Sequence, residues 1–352
     1  MEQQCAIEEK KTGREYFIKQ CKRKGEGVKS YKHMESITKN SISDDSIRKI
    51  AEHAFPSDKL KEVKELTEGY FNTAYLVVFE EKEMILKIAP PKEIPVMSYE
   101  KDIMRAEVEC MKFVRDKTNV PVPEVLFCDY TNTIFPSDYF FMSKLDGMSF
   151  SSIKETFTEE EKNLIEFHTG EYNAGINSIT GDGFGYYNMV QKDASWPEVF
   201  LSFFAGIFKD AAAIGMDTGL DYTAIEELFT RHKGCFEEVA VPRLVHWDLW
   251  EGNVFVKDKG ITGLIDFERC MWADVLLEVG FRSHYQKPSF LAGYGKQEFT
   301  QAERVRILWY DLYLFFLALM ETDYRKYPDK GIYFWAKEQI EKTLQQLKEI
   351  KA

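Results

Sequence analysis

One stretch in the C-terminal half constrains the fold most, because polar side chains interrupt two apolar, strand-like segments there. The four polar residues are His246, Asp248, Asn253 and Asp266. A turn-forming cluster at residues 257 to 260 separates the segments, so the pattern predicts a β-hairpin. A turn centred there sets Asn253 opposite roughly residue 264. Asn253 and Asp266 then meet at the open end of the hairpin, and Asp248 lies on the loop entering the same strand.

Oxygen-bearing side chains that meet at one point suit a hard cation such as Mg²⁺, which proteins usually hold with one or two carboxylates and substrate phosphates. For any one of the four residues, a structural role is an equal alternative. In that case His246 and Asp248 satisfy buried backbone groups, and Asn253 and Asp266 end strands. The spacing of all four together favours chemistry, provided that a nucleotide-binding half lies upstream.

The spacing His246-x-Asp248-x4-Asn253 resembles the catalytic loop of protein-kinase-like phosphotransferases, and it is most similar to the aminoglycoside phosphotransferase and choline-kinase-like branch. Asp266 falls at the position of the metal-binding aspartate. Protein kinases have a glycine two residues later and an activation segment ending in Ala-Pro-Glu, and both are missing from this sequence. Trp247 replaces a residue that is usually small, so we expect a changed floor of the acceptor site.

The resemblance covers about residues 35 to 325 and implies an α+β fold. This is the bilobal protein-kinase-like fold, with an antiparallel-sheet N-lobe and a mainly helical C-lobe. We expect a charged N-terminal extension at residues 1 to 42, a nucleotide-binding N-lobe at residues 43 to 142, and a C-lobe at residues 143 to 352 that holds the catalytic loop and the acceptor site.

Upstream, the apolar pattern predicts a short helix capped near Ser43 and then three antiparallel strands. Lys87 lies inside the third strand, where its ammonium group needs an acceptor. A surface lysine on an edge strand is the alternative. The resemblance implies that Lys87 binds the α- and β-phosphates of ATP and pairs with Glu107 of the next helix, with Glu109 as the fallback partner.

The resemblance also implies where the nucleotide binds. The loop at residues 67 to 73 takes the place of the phosphate-covering loop, although its single glycine alone is typical of an ordinary hairpin loop. The candidate phosphate contacts in it are Gly69, Asn72 and Thr73. A strand ending near Ser143 would form the hinge between the lobes, where the backbone of Ser143 and Leu145 would hydrogen-bond adenine.

In the C-lobe, the resemblance implies that Asp248 orients the acceptor hydroxyl and accepts its proton, while His246 supports the loop. Asn253 and Asp266 would hold Mg²⁺. Positioning and charge neutralisation are what phosphoryl transfer mainly requires.

Two acidic residues after the motif are candidates for the acceptor site. Asp274 and Glu278 lie four residues apart and could share one helical face. The resemblance implies that they either hold the catalytic loop or contact a cationic acceptor, and a solvated helix face is the alternative. Asn177 stands where the family often has a histidine, so we assign no role to that position.

The amino-acid composition of the chain limits the classes of partner that it can bind. The net charge of −12 argues against nucleic acid and favours cationic small molecules. The six scattered cysteines lack zinc-site spacing, so we expect reduced thiols in a cytoplasmic protein. The longest apolar run is too short to span a membrane. Residues 1 to 33 are highly charged, which predicts an appended leader that is extended or partly disordered, with a helix over residues 14 to 24 as the alternative.

The sequence therefore predicts a phosphotransferase that uses ATP or GTP and Mg²⁺ to phosphorylate a hydroxyl of a small molecule. An aminoglycoside or another amine-bearing acceptor is the first expectation, which would connect the protein to antibiotic resistance. A macrolide would suit the nearby aromatic residues equally. A choline, homoserine or sugar kinase is the alternative, followed by a nucleotide-binding regulatory pseudo-enzyme. We expect a monomer or homodimer.

Overall fold

Five strands form the sheet of the N-terminal half, and they include the three that the apolar pattern predicts. The computed structural model describes residues 38–40, 42–66, 71–327 and 329–350, so the prediction for residues 1 to 33 lies outside the described residues. The strands are β1 (Leu60–Leu66), β2 (Thr73–Phe79), β3 (Glu83–Ile88), β4 (Val125–Asp129) and β5 (Tyr139–Ser143). Their order is β1-β2-β3-β5-β4, and every neighbouring pair is antiparallel.

Two helices cover this sheet. Helix α1 (Asp44–Ala54) is capped by the side chain of Ser43, as the sequence predicts. It packs on one face of the sheet in a core that includes Tyr139. Helix α2 (Ile103–Lys117) packs on the other face in a core that includes Phe140. Neighbouring residues of β5 point to opposite faces and therefore enter different cores.

Helix α2 begins at Ile103, not near Ser98 as the apolar pattern suggests. A 3₁₀ turn at Ser98–Glu100 and a left-handed Asp102, with φ 55°, interrupt the helical path. The backbone N–H and hydroxyl of Ser98 donate to the Asp210 carboxylate at 2.6 and 2.5 Å. The segment before α2 is therefore attached to the helical half of the protein.

The chain leaves the first sheet after Ser143, at the predicted lobe boundary. Gly147 follows with φ 91°, and a Cβ atom there would lie 2.1 Å from the carbonyl oxygen of Val256, so the crossing requires glycine. Two small sheets follow, in the orders β10-β9-β6 and β7-β11-β8. Their strands are β6 (Met148–Ser149), β7 (Gly185–Tyr186), β8 (Arg243–Val245), β9 (Val254–Lys257), β10 (Gly260–Leu264) and β11 (Met271–Ala273).

Strands β9 and β10 are the predicted hairpin, with two residues of positive φ in its turn. Leu264 pairs with Val254, one residue away from the predicted opposition to Asn253. The difference arises because the register shifts after Ile261. The hairpin prediction is confirmed.

The remaining described chain is mainly helical. Its helices are α3 (Phe150–Ile153), α4 (Glu159–Asn177), α5 (Trp196–Ala213), α6 (Tyr222–His232), α7 (Pro288–Tyr294), α8 (Gln301–Tyr324) and α9 (Gly331–Glu349). Phe200 and Phe204 of α5 are fully buried and pack edge to face with Tyr310 and Trp309 of α8. The α+β fold class with a sheet-rich N-terminal half and a helical C-terminal half is confirmed. Among the described helices, none has the length and apolar character needed to cross a membrane.

Candidate active site

Lys87 connects the first sheet to the end of the hairpin. Its Nζ atom lies 2.6 Å from Glu107 Oε1 on α2 and 2.9 Å from Asp266 Oδ1, two residues after β10. The Lys87 side chain is 10% exposed and that of Glu107 is fully buried. Glu109, the fallback partner, instead accepts a hydrogen bond from Tyr187. The fold therefore selects Glu107 as the partner of Lys87.

Charge neutralisation explains why a buried ammonium group is tolerated at Lys87. Burial alone would lower the pKa of Lys87, but Asp266 and Glu107 outweigh it and hold this pKa above its usual value. Burial also opposes ionisation of Asp266, yet the ammonium group of Lys87 brings the pKa of that carboxyl below its ordinary range. Lys87 and Asp266 are therefore both charged at neutral pH.

His246 ties the predicted catalytic loop to the end of β10. Its Nε2–H donates to the carbonyl oxygen of Ile265 at 3.1 Å, and its Nδ1 accepts the backbone N–H of Asp248 at 3.3 Å. These two bonds require the tautomer that is protonated on Nε2. The ring is fully buried and packs on Phe267, with 4.4 Å between ring centroids. His246 is thus placed to support the loop and is shielded from any substrate.

Asn253 and Asp266 come together at the open end of the hairpin. The Asn253 side-chain amide donates to the backbone carbonyl oxygen of Asp248 at 2.8 Å. The backbone carbonyl oxygen of Asn253 accepts the N–H of Ile265 at 3.0 Å. Asp266 has φ 72°, a left-handed conformation that is uncommon outside glycine. The fold therefore gathers Asp248, Asn253 and Asp266 within one loop region, and the side-chain oxygen of Asn253 is the atom left to face a cation.

A further carboxylate lies beside Asp266. One oxygen from each of Glu107, Asp266 and Glu268 lies within 4.8 Å of the other two. The Glu107 side chain is fully buried, whereas that of Asp266 is 30% exposed, and Glu268 Oε2 accepts the Asn72 amide at 2.7 Å. Burial and the charge of Asp266 raise the pKa of Glu268 well above its ordinary range, which favours a protonated carboxyl. The donors that fit Mg²⁺ are therefore the oxygens of Asp266 and Asn253.

Asp248 lies among charges of both signs and is partly exposed. Burial raises the pKa of its carboxyl above the usual range, and the negative charge of Asp266 adds to this effect. The guanidinium groups of Arg269 and Arg282 oppose the rise. Arg269 is itself paired with Glu321, with 2.6 Å between Nη2 and Oε1. A carboxyl whose pKa is shifted toward neutrality suits a general base.

Trp247 packs away from the loop surface. It has φ 64° and is 1% exposed. Its ring stacks on Tyr313 with 5.8 Å between centroids and lies 5.6 Å from the Arg269 guanidinium carbon. The expectation that Trp247 alters the floor of the acceptor site is wrong for its side chain, because the indole belongs to the aromatic core.

Asp274 and Glu278 do not share a helical face. They flank a short 3₁₀ turn at Val275–Leu277, and both side chains are buried. Asp274 Oδ2 accepts from Arg306 Nε and Tyr310 OH, both at 2.7 Å. The structure therefore corrects the prediction that these residues contact an acceptor, because their carboxylates are enclosed and bonded within the protein.

Glu278 instead binds the backbone of the predicted catalytic loop. Its oxygens accept the backbone N–H groups of His246 at 2.8 Å and Trp247 at 2.9 Å. Its Oε1 atom also accepts the side-chain amides of Asn173 and Asn177, each at 2.8 Å. Asn177, to which the sequence assigned no role, therefore helps to fix this carboxylate.

We expect Glu278→Ala to lower the free energy of unfolding by about 3 kcal/mol or more, because several buried donors lose their acceptor at once. Urea denaturation followed by circular dichroism measures this, with the exposed Glu160→Ala as control. Glu278→Gln keeps one side-chain oxygen and should lose less. A Glu278→Ala protein of normal stability with weakened acceptor binding would restore the original interpretation.

The predicted phosphate loop lies partly outside the described residues, and Gly69 is among those not described. Asn72 donates its side-chain amide to Glu268, and this bond joins the two halves of the protein. The hydroxyl of Thr73 accepts the backbone N–H of Asn40 at 2.8 Å. Both side chains are buried, and nucleotide contacts at Asn72 and Thr73 stay a prediction. The side-chain amide of Asn40 also donates to the carbonyl oxygen of Ala89 at 3.2 Å, so described residues before position 43 contact the end of β3.

The predicted hinge begins at the end of β5. The Ser143 backbone N–H donates to the carbonyl oxygen of Glu124 at 2.8 Å, and the Ser143 hydroxyl accepts the backbone N–H of Glu124 at 2.9 Å. The side chain of Leu145 packs on Gly263, where a Cβ atom would lie 2.5 Å from it. Adenine binding by Ser143 and Leu145 stays a prediction.

Three charged residues near Asp248 and Asp266 escaped the sequence reasoning, namely Glu268, Arg269 and Arg282. The signal that marked Lys87, a charge next to buried apolar residues, was present again at Arg282, which follows the buried turn Val279–Phe281. Their partners are Asn72, Glu321 and the carbonyl oxygen of Trp247, which lie far away along the chain. Spacing in the sequence therefore gave no indication of their grouping.

Comparison with known proteins agrees with this geometry. The sequence model of a family described as the phosphotransferase enzyme family matches residues 62–309. A search of curated proteins gives no match.

Solved structures share the fold at low sequence identity. A protein assigned as a fructosamine-3-kinase from Haemophilus somnus 129PT is 17% identical, with 85% of this chain and 97% of that chain covered and a TM-score of 0.63. An apo thermostable mutant of aminoglycoside phosphotransferase APH(4)-Ia is 16% identical, with 86% and 99% covered and a TM-score of 0.60. The streptomycin–ATP ternary complex of APH(2")-IIa is 16% identical, with 89% and 98% covered and a TM-score of 0.55.

Proposed function

Because this chain belongs to the phosphotransferase enzyme family, we propose that it transfers the γ-phosphoryl group of ATP to a hydroxyl of a small molecule. The observation that carries the proposal is the position of Lys87 Nζ, 2.6 Å from Glu107 and 2.9 Å from Asp266. This contact joins the phosphate-binding sheet to the predicted metal-binding aspartate, and it leaves a charged lysine where nucleotide phosphates would bind.

Asp248 acts on the acceptor. Its carboxylate accepts a hydrogen bond from the acceptor hydroxyl and takes the proton as the hydroxyl oxygen attacks the γ-phosphorus. The bond from the γ-phosphorus to the β,γ-bridging oxygen breaks, and ADP leaves. Glu278 and His246 accept the backbone N–H groups that lead into Asp248, and the Asn253 amide donates to its carbonyl oxygen. The backbone of Asp248 is therefore held before the substrate arrives.

Asp266 and Asn253 are the residues that would hold Mg²⁺, through a carboxylate and an amide oxygen. When bound, the cation would neutralise charge on the β- and γ-phosphates. The Lys87 ammonium lowers the pKa of Asp266, so the carboxylate is ionised and ready for this role across the neutral range. The carbonyl of Ser143 and the backbone of Leu145 are the proposed contacts to the base, for ATP or GTP.

For the acceptor we propose an amine-bearing alcohol or sugar. The support is analogy: structural relatives of this fold are described as complexes with hygromycin B, kanamycin or streptomycin, or as a fructosamine-3-kinase. A metabolite kinase of the choline, homoserine or sugar type is the second candidate. A binding-only pseudo-enzyme is disfavoured by the joint presence of Lys87, Asp248, Asn253 and Asp266.

The test is Mg²⁺-dependent consumption of ATP against a panel of aminoglycosides, macrolides, choline, homoserine, sugars and fructosamines. Turnover with one class, abolished by replacement of Asp248, identifies the reaction and the acceptor class together. Nucleotide binding without turnover on a panel extended to further metabolites would favour the regulatory alternative.

The pH dependence of kcat/KM should report the ionisation of Asp248. The base works only when deprotonated, so activity falls as pH decreases through its pKa, and this pKa is raised by burial. We therefore expect the acidic limb of the profile above the range of an ordinary aspartate. Initial rates measured where circular dichroism shows an intact fold check this, and a limb within the ordinary aspartate range would contradict it.

A further inference from the structure

Arg282 projects from the segment after β11 toward the predicted catalytic loop. Its Nη2 atom donates to the carbonyl oxygen of Trp247, the residue before Asp248, at 2.6 Å. Arg282 is partly exposed as a residue, and its bond to Trp247 sets it beside the loop that carries the proposed base.

The other arginines enclosed near this region each have a carboxylate partner. Arg269 pairs with Glu321 at 2.6 Å, Arg306 with Asp274 at 2.7 Å, and Arg325 with Glu100 at 2.7 Å. Their side chains are 14%, 5% and 5% exposed. Among the described residues, by contrast, no carboxylate oxygen lies within 4.0 Å of Arg282.

The carboxylates that act on the charge of Arg282 are those of Asp248, Asp311 and Glu278, and all three lie beyond 4.0 Å. Asp311 Oδ1 has no hydrogen-bond partner among the described residues. Asp311 is buried, and its Oδ2 atom accepts the backbone N–H and the hydroxyl of Ser283 at 3.0 and 2.5 Å. The carboxylate of Asp248 is the negative group that the proposed reaction uses to accept the proton of the acceptor hydroxyl. The predicted acidic contacts for a cationic acceptor, Asp274 and Glu278, are enclosed. The loop that carries Asp248 therefore has beside it a positive group without a carboxylate oxygen within 4.0 Å among the described residues.

A guanidinium group presents several N–H donors in one plane, and it matches the two oxygens of a carboxylate or phosphate. One nitrogen of Arg282 donates to the Trp247 carbonyl, and that bond holds the guanidinium group beside the loop. The remaining N–H donors are the ones that an anion close to Asp248 would use.

We propose that Arg282 binds a carboxylate or phosphate group carried by the acceptor, next to the hydroxyl that Asp248 activates. This inference rests on the proposed function and narrows the acceptor to alcohols that bear an anionic group. An amine on the same molecule is compatible with it, as in a hydroxy-amino acid or a sugar linked to an amino acid.

The experiment uses acceptor pairs that differ in the anion. L-Homoserine is compared with 3-aminopropan-1-ol, D-gluconate with D-glucitol, and the fructosamine of glycine with that of ethylamine. For the full-length protein with Mg²⁺ and ATP, we expect kcat/KM to favour the anionic member of an accepted pair. In Arg282→Gln, this preference should fall about tenfold or more. Arg282→Lys should restore part of it, and Arg304→Gln, at an exposed arginine, should leave it unchanged.

Binding supplies a second readout that does not need turnover. Thermal shift of the protein loaded with Mg²⁺ and AMP-PNP is measured with the same pairs and with D-glucose 6-phosphate against D-glucose. Stabilisation by the anionic members, lost in Arg282→Gln, supports the proposal. Equal stabilisation by both members, or none by any anionic probe, overturns it.

The possible sources of failure are distinguishable. If Arg282 contacts the transferred phosphoryl group instead of the acceptor, Arg282→Gln lowers kcat equally for both members of a pair, and the inference is overturned while the proposed function stands. If ATP is neither bound nor consumed under any condition, the proposed function itself fails.

Discussion

Replacement of Asp248 by Asn is expected to lower kcat by about 100-fold to 10,000-fold, the range that general base catalysis contributes. The substitution keeps the shape of the side chain but removes the group that takes the hydroxyl proton. The fold should survive, because the Asp248 backbone N–H and carbonyl make the bonds to His246 and Asn253 while its carboxylate is the functional group. The measurement is steady-state phosphoryl transfer with the acceptor found on the panel.

Nucleotide affinity provides the control for that experiment. Asp248 is assigned to the acceptor, so the dissociation constant for Mg²⁺ and AMP-PNP, measured by calorimetry, should stay within a few-fold of the wild type. Asp258→Asn makes the same chemical change in the exposed hairpin turn and should keep full activity. Unchanged turnover in Asp248→Asn would remove Asp248 from the mechanism.

Replacement of Lys87 by Met is expected to lower kcat/KM for ATP by about 100-fold to 1,000-fold, comparable to the loss of one preorganised donor to a developing charge. Lys87 is the ammonium group proposed for the phosphates, and methionine retains its length and apolar stem. Initial rates at varied ATP concentration give the value. Lys64→Met, at an exposed position of β1 in the same sheet, is the matched control.

The Lys87→Met substitution should also lower the stability of the fold in a way that depends on pH. Without Lys87, the carboxylates of Glu107 and Asp266 remain close together with no counterion, which costs about 3 kcal/mol or more. Burial already raises the pKa of Glu107 to about 7, with Lys87 opposing the rise, so this pKa should move higher in the variant. A raised folded-state pKa gives stability below the unfolded-state pKa that is lost as pH rises.

The stability deficit of Lys87→Met should therefore shrink as pH is lowered from 8 toward 5. Urea denaturation at a series of pH values measures it. A deficit that is constant with pH would mean that Glu107 is not the group released by the substitution.

Much of the architecture was available from local pattern. Alternating apolar residues indicated β2 and β3, and caps with helical spacing indicated α1, because burial on one face imposes a period of two or 3.6 residues. The predicted start of α2 at Ser98 was wrong, because Ser98 is hydrogen-bonded to Asp210 of a distant helix and lies before α2. Register was nearly right because the turn fixes it, and a local irregularity shifted it.

The predicted site residues also divide into those that sequence spacing grouped correctly and those that it did not. Asp248, Asn253 and Asp266 are brought together by one hairpin, so their spacing in sequence was sufficient to group them. Asp274 and Glu278 were misplaced because spacing alone cannot tell whether a carboxylate faces solvent or accepts backbone N–H groups inside the protein. Glu278 is surrounded by the loop and by α4, which lies about a hundred residues upstream.

The sequence by itself determined the strands, the hairpin and the identity of the charged residues in the motif, because these depend on neighbours within a few positions. Tertiary structure confirmed that Lys87 meets Glu107, the partner that the resemblance implied, and not the fallback Glu109. It alone decided that Arg282 reaches the loop without a carboxylate oxygen within 4.0 Å among the described residues. Such pairings depend on which distant segments share a low-dielectric interior, where every charge must find a partner or remain available to a ligand.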